Sequence, residues 1–165
     1  MGNKDAWVFA EVLESPIGNL WFAYAEDGEL VEIRLPAPGR RLRGAGARPA
    51  GAPSAAAVSR WLGQWCRDGR AAFPGRWRMP GGSPFFRRVY AEVARIPAGR
   101  VRQYGEVAAR CGSPSASRAV GNAMARNPLP LIVPCHRVVA TQGLGGFGGG
   151  LPMKQRMLEA EGAVL

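Results

Sequence analysis

The chain has 165 residues, 47% of them apolar, with a formal net charge of +10 and three cysteines beside a single histidine. That length suits one or two small domains with a real core. No apolar run reaches the ~18 residues of a membrane span, and Lys4, Asp5 and Glu11 around a short mixed stretch do not read as a signal peptide, so a cytoplasmic protein with no membrane partner is expected. The odd cysteine count argues against a disulfide framework, and Cys66, Cys111 and Cys135 with one His lack the spacing of a zinc site, so no metal and no cofactor are expected.

Val8 to Glu14 alternates loosely and runs into the turn Ser15-Pro16-Ile17-Gly18-Asn19. Leu20 to Ala25 and Glu29 to Leu35 read as two further strands around Glu26-Asp27-Gly28, which makes an antiparallel meander. Residues 36–57, rich in Pro, Gly, Ala and Arg, read as a mobile surface loop. Ser54 to Arg67 reads as a helix with Val58, Trp61, Leu62 and Trp65 on one face, tryptophans of a core rather than of a binding site. The prolines and glycines of Phe73 to Ser83 mark a linker, narrowed to 76–83, between an N-terminal domain (1–75) and a C-terminal one (84–165).

Pro84 to Arg95 suits a helix with Pro in its first turn and Phe85, Phe86, Val89, Tyr90 and Val93 facing inward. Arg100 to Gln103 is a short extended piece, Tyr104 to Arg110 a short helix, and Cys111-Gly112 its end. Ser113 and Pro114, as N-cap and first helical residue, open a helix from about Ser115 to Arg126. Two short helices around a Gly-containing turn form a helix-turn-helix. The fold expected is mixed α/β (α+β): a small antiparallel sheet with one helix, then a mainly helical domain holding the helix-turn-helix.

Charge is unevenly placed. Residues 1–35 hold seven acids against Lys4 and Arg34, while residues 69–158 hold fourteen Lys and Arg against Glu92 and Glu106. A basic half suits a polyanion such as nucleic acid, although an arginine-rich soluble face has the same composition. The second helix of the pair, Arg118-Ala119-Val120-Gly121-Asn122-Ala123-Met124, is poor in the long polar side chains that read bases across a wide groove. Its small residues let the backbone approach closely, and Arg118 stands out as the long cation at its start.

Leu131 to Val139 is an apolar, strand-like run that carries Cys135 and the lone His136. A thiolate, not a thiol, is the nucleophile, and a free thiol ionises near pH ~8.5, so a base or a cation must assist it. Neighbours in an extended segment point to opposite faces, so contact between them is not assured and a bridging water could complete the link. On spacing alone a buried structural cysteine fits as well as a nucleophile.

Pro134-Cys135-His136-Arg137-Val138 resembles the active-site signature of the O6-alkylguanine-DNA alkyltransferases, also called methylated-DNA–protein-cysteine methyltransferases. The resemblance runs from Phe86 through Gly162 and includes Arg118-Ala119-Val120-Gly121, Asn127-Pro128, Gly149-Gly150 and Glu161-Gly162. It implies DNA repair by stoichiometric, irreversible transfer of an alkyl group from O6-alkylguanine, and from O4-alkylthymine, to Cys135. His136 would draw the thiol proton through a water, and Glu161 would orient that imidazole. Asn127 would tie the helix-turn-helix to the active-site segment, and Tyr104 would donate a proton to the departing guanine. Arg118 would fill the stack left by the flipped nucleotide, with Ala119, Gly121, Ser115, Asn122 and Tyr104 along the DNA. Pro130, Val138, Phe147, Gly148 and Gly149 would line the alkyl pocket. Arg137 matches a structural position. The partner implied is double-stranded DNA bound through its minor groove by a monomer.

The loop Gly143 to Gly150 departs from the pattern. It is glycine-richer, about one residue short, and has Phe147 where a tyrosine is common and Gly148 where a hydroxyl is often found. Three other readings compete. Alkyltransferase-like binding proteins lack the cysteine that this chain has at 135. A helix-turn-helix regulator would prefer a sequence over a lesion. A cysteine hydrolase would turn over and would want an oxyanion hole that no motif supplies.

Overall fold

The computed structural model describes residues 7–37 and 41–164. Strands β1 (Phe9–Leu13), β2 (Leu20–Tyr24) and β3 (Leu30–Arg34) form the expected antiparallel meander, with Phe9 opposite Tyr24, Leu13 opposite Leu20 and Trp21 opposite Arg34. A register shift at Ala23/Tyr24 brings Tyr24 opposite Leu30. Every β2 residue is buried, because both faces of the sheet are covered. Leu20, Phe22 and Tyr24 enter the main core, while Trp21 and Ala23 pack under the segment after β3.

That segment differs from the mobile loop expected over 36–57. Ala10 and Ala45 exchange backbone hydrogen bonds, the Trp21 indole donates to the Arg43 carbonyl at 2.9 Å, and Arg48 pairs with Glu11 at 2.5 Å. These contacts close the outer face of the sheet, a demand of tertiary packing that a Pro/Gly-rich composition does not reveal. Residues 38–40 of the loop lie outside the described residues.

Ser54 and Ser83 cap helices α1 (Ala55–Asp68) and α2 (Pro84–Val93) through their hydroxyls. Val58, Trp61, Leu62 and Trp65 of α1 are all buried, as their spacing requires. In α2 the buried positions are Val89, Tyr90 and Val93, whereas Phe85 and Phe86 are only half-buried. The expected linker is partly structured: Leu30 exchanges backbone hydrogen bonds with Arg76 and Arg78, so residues 76–78 extend the sheet. One continuous core then runs from Leu20, Phe22 and Trp65 through Val107, Val120 and Val138 to Met157, and each large apolar side chain enclosed in it contributes about 1.5–3 kcal/mol.

β4 (Arg102–Gln103) leads into α3 (Tyr104–Arg110), and α4 (Ser117–Ala125) packs against it as the second half of the helix-turn-helix. The start of α4 corrects the expectation. Ser113 to Ala116 forms a turn, with the Ala116 amide donating to the Ser113 carbonyl, and the helix opens only at Ser117. Pro114 sits second in that turn, the place its fixed φ favours, and therefore does not begin the helix.

The run from Leu131 is also not a strand until Val138. Asn127 Nδ2 donates to the Val133 carbonyl and Asn127 Oδ1 accepts from the Leu129 amide, at 2.8 and 3.0 Å, so a side chain takes the hydrogen bonds a strand would have made. Leu131 adopts φ 78°, and Cys135–Arg137 is a single 3-10 turn before β5 (Val138–Val139), which pairs in parallel with β4. Finally, α5 (Leu151–Ala160) packs on α1 and on the Cys135 turn. No helix among the described residues is long and apolar enough to cross a membrane.

Candidate active site

Cys135 begins the 3-10 turn and opens onto a cavity of about 610 Å³. Ile33 to Leu35 of the sheet, Met124 to Pro128 at the end of α4, Pro130, Phe147 and Gly148 complete the walls. Of the pocket residues expected from sequence, Pro130, Phe147 and Gly148 line this cavity. Val138 does not: it is fully buried in β5 behind the turn. Gly149 is not a wall residue either; a Cβ there would meet Met153 Sδ at 2.4 Å and Leu35 Cδ1 at 3.3 Å, so it packs α5 against Leu35, just after β3. Met124, Arg126 and the β3 edge were not singled out, since nothing in a strand's sequence says which cavity its edge will face.

The three cysteines are unpaired. Only Cys135 sits among polar groups suited to chemistry. Burial pushes its thiol up, while a hydrogen bond from Asn127 and the charge of Lys154 act the other way. Cys66 and Cys111 are also pushed up, first by burial. The resting side chain at 135 is therefore a protonated thiol that needs a base.

His136 is completely enclosed, against Trp65 of α1 at 5.4 Å and Phe147 at 6.5 Å between ring centroids. Its Nε2 lies 2.9 Å from Glu161 Oε1. An ionised carboxylate only accepts, so Nε2 carries the hydrogen and Nδ1 is left with a free lone pair. Nδ1 is buried and has no hydrogen-bond partner among the described residues. Burial holds the imidazole below its ordinary pKa in spite of Glu161, so it is neutral at pH 7, the form that can take a proton. Burial would raise the Glu161 carboxyl, but hydrogen bonds from His136 and Arg137 prevail and hold it below the usual range.

Arg137 fixes this carboxylate. Its Nε and Nη2 donate to Glu161, Nη1 donates to the Ile96 carbonyl at 2.6 Å, and Nη2 also reaches the Gly69 carbonyl at 2.9 Å. One guanidinium thus joins the ends of α1, α2 and α5 behind the cysteine. Among the described residues no group of three or more His, Cys, Asp and Glu is placed to hold a metal.

On the helix-turn-helix, Tyr104, Arg118, Gly121 and Asn122 line a shallow groove of about 620 Å³ with Ser117 and Thr141. Ser115 and Ala119 lie outside its lining, Ser115 exposed in the turn and Ala119 half-buried on α4. Arg118 is exposed and has no ion pair among the described residues. Four of the N-terminal acids, Glu11, Asp27, Glu29 and Glu32, are by contrast matched internally by Arg48, Arg76, Arg78 and Arg34. Tyr104 joins groove and cysteine: Gly121 and Gly145 flank its ring, its hydroxyl makes a long 3.5 Å hydrogen bond to the Gly146 carbonyl, and burial, then the negative charge of a Cys135 thiolate, raise its pKa.

The family model described as "6-O-methylguanine DNA methyltransferase, DNA binding domain" matches residues 84–163. A methylated-DNA–protein-cysteine methyltransferase of Mycolicibacterium paratuberculosis is 51% identical over 81 residues, covering 48% of this chain and 49% of the relative. One from Salmonella typhimurium is 46% identical over 86 residues, covering 52% and 50%. The chain thus spans about half the length of the curated relatives it matches. Whole-structure similarity is wider. The crystal structure of Mycobacterium tuberculosis OGT in complex with DNA superposes with a TM-score of 0.74 and 34% identity over 93% of this chain and 92% of that one. An O6-methylguanine-DNA methyltransferase from Pyrococcus kodakaraensis gives 0.66 and 26% over 93% and 98%.

Proposed function

The chain belongs to the 6-O-methylguanine DNA methyltransferase family, and from that premise we propose that it repairs alkylated duplex DNA by moving the alkyl group from O6 of guanine, and from O4 of thymine, to Cys135. Residues 84–165 would be the DNA-binding and acceptor half, with 1–75 as its support, in a cytoplasmic monomer. The observation that carries the reading is the neutral imidazole of His136, fixed through Nε2 by Glu161 so that Nδ1 is left as a free base on the residue next to a cysteine that lines a cavity.

Cys135 is only 8% exposed, so a base still stacked in a duplex cannot reach it. The nucleotide must swing out, at a cost of a few kcal/mol that a weakly paired lesion reduces. The small α4 residues would enter the minor groove and Arg118 would occupy the vacated stack, a wedge of a known kind. Exposed arginines would meet phosphates and carry most of the affinity.

His136 Nδ1 takes the thiol proton through a water. The sulfur attacks the alkyl carbon in line, the S–C bond forms, and the C–O bond breaks with its electron pair passing to guanine. The Tyr104 hydroxyl protonates the departing base and recovers a proton from the imidazolium side, so the thiol's proton ends on guanine. The thioether has no hydrolytic step behind it, and each molecule acts once.

Incubation with a duplex carrying O6-methylguanine should add the mass of one methylene group, on the tryptic peptide Asn127–Arg137. Label on Cys66 or Cys111, or many lesions corrected per chain, refutes the assignment. Cys135→Ala should bind the same duplex and repair nothing.

A further inference from the structure

The cavity at Cys135 is larger than a methylated base requires. At ~30 Å³ per water-sized group, its volume of about 610 Å³ holds about twenty of them, against about a dozen non-hydrogen atoms in O6-methylguanine. Part of its enclosure comes from the N-terminal half. Ile33 of β3 and Leu35 just after it are core residues that also line the cavity, and half-buried Ala37 extends the same wall. The Ile33 amide donates to the Pro128 carbonyl at 2.7 Å, which ties this wall to the segment carrying Asn127 and Pro130. Arg34, between Ile33 and Leu35, is drawn to Glu32 at 2.7 Å and lies 4.2 Å over the Trp21 ring.

The loop after β5 leaves an opening that this wall meets. Gly148 lines the cavity without a side chain, and a Cβ there would meet no atom within 4 Å. A Cβ on the next residue, Gly149, would come within 3.3 Å of Leu35 Cδ1. Leu35 therefore lies directly beside the loop at the point where Gly148 leaves space. Met124, unbranched and adaptable, adds a further apolar side chain to the same enclosure. An apolar surface of this kind, away from the reacting sulfur, suits the outer part of a large alkyl group.

We propose that Leu35 and Ala37, supplied by the N-terminal half, are the specificity-determining residues for the size of the O6 substituent, and that the space they bound admits a benzyl group. The inference deepens the repair reading and rests on it. Benzyl in place of methyl brings the substrate base to about eighteen non-hydrogen atoms, within the capacity of the cavity. The chemistry is that of methyl transfer. The Cys135 sulfur bonds to the benzylic carbon, the C–O bond breaks with its electron pair passing to guanine, and the thiol proton ends on guanine.

The test compares transfer rates from duplexes carrying O6-benzylguanine and O6-methylguanine, each read as added mass on the Asn127–Arg137 peptide. Benzyl should transfer within about tenfold of the methyl rate, and a slower benzyl rate overturns the proposal. Ala37→Trp, which fills the wall with an indole, should lower the benzyl-to-methyl ratio about tenfold or more. An unchanged ratio in the folded variant overturns the proposal, because a merely structural role would slow both groups alike. If Ala37→Trp does not fold, the contact is read in the parent chain after chemical S-benzylation of Cys135, which needs no DNA. Nuclear Overhauser contacts from the benzyl ring to the methyl groups of Leu35 and Ala37 are expected, and their absence overturns the proposal. A parent that accepts methyl but excludes benzyl refutes this inference alone, whereas one that accepts neither from DNA refutes the repair reading.

Discussion

Replacing Glu161 by Gln removes one charge from a site with almost no water. The carboxylate side chain is 1% exposed, His136 0% and Arg137 7%. In the variant the guanidinium retains the Ile96 and Gly69 carbonyls but loses its counter-ion. Breaking a buried pair by removing one partner costs about 3–5 kcal/mol. The amide still accepts one hydrogen bond, so the low end is expected, which for a chain of this length lowers Tm by roughly 6–12 °C. The amide can also donate to Nε2, which would place the imidazole hydrogen on Nδ1 and abolish the base. Loss of the correct tautomer is severe in a serine triad, about 10⁴-fold. A thiol is the better nucleophile, so a fall of about 10²-fold in methyl transfer is expected here. The folded carboxyl titrates below its ordinary value. The stability it confers is therefore complete above about pH 4.3 and is lost as pH falls through the folded value. Urea denaturation from pH 3 to pH 8, with transfer rates from an O6-methylguanine duplex, measures both effects. A variant as stable and as fast as the parent refutes the reasoning, and so does a stability gap that widens on acidification.

Arg118→Ala should lose repair of duplex DNA while still reacting with the free O6-alkylated base; an equal fall in both rates removes the proposed intercalating role. Because burial holds His136 neutral, the acid limb of the transfer rate should lie below the ordinary 6.5, and acidification through that limb should also cost stability; a limb above 6.5 contradicts the neutral-base assignment. Gly145→Val should displace Tyr104, since the added Cβ would meet its ring at 2.9 Å on a backbone with φ 70°, and transfer should slow with thiol capture by iodoacetamide unaltered. Equal slowing of both would place Tyr104 in thiol activation instead of leaving-group protonation.

Strand alternation, the Ser54 and Ser83 caps, the helical spacing of Val58 to Trp65 and the Cys-His pair were legible because each is a local property, decided within a turn or two of chain. The resemblance also named Glu161 and Asn127, and the structure puts Glu161 on His136 Nε2 and Asn127 on the Val133 carbonyl. What sequence could not supply was long-range. Arg137 reaches carbonyls 41 and 68 residues away, and Trp65 meets His136 across the two halves of the chain. Helix α5 escaped a reading by periodicity because its buried stripe of Met153, Met157 and Leu158 also takes in Lys154, while Leu151 is 49% exposed. Leu131 to Val133 reads as a strand by composition, but Asn127 takes the Val133 carbonyl and the Val133 amide turns back to the Leu129 carbonyl. Composition and motif therefore singled out Cys135 and His136 as candidates. Only the packed structure decided which nitrogen of His136 is free, because that depends on who shares a buried, water-poor space, and that is settled by the whole fold at once.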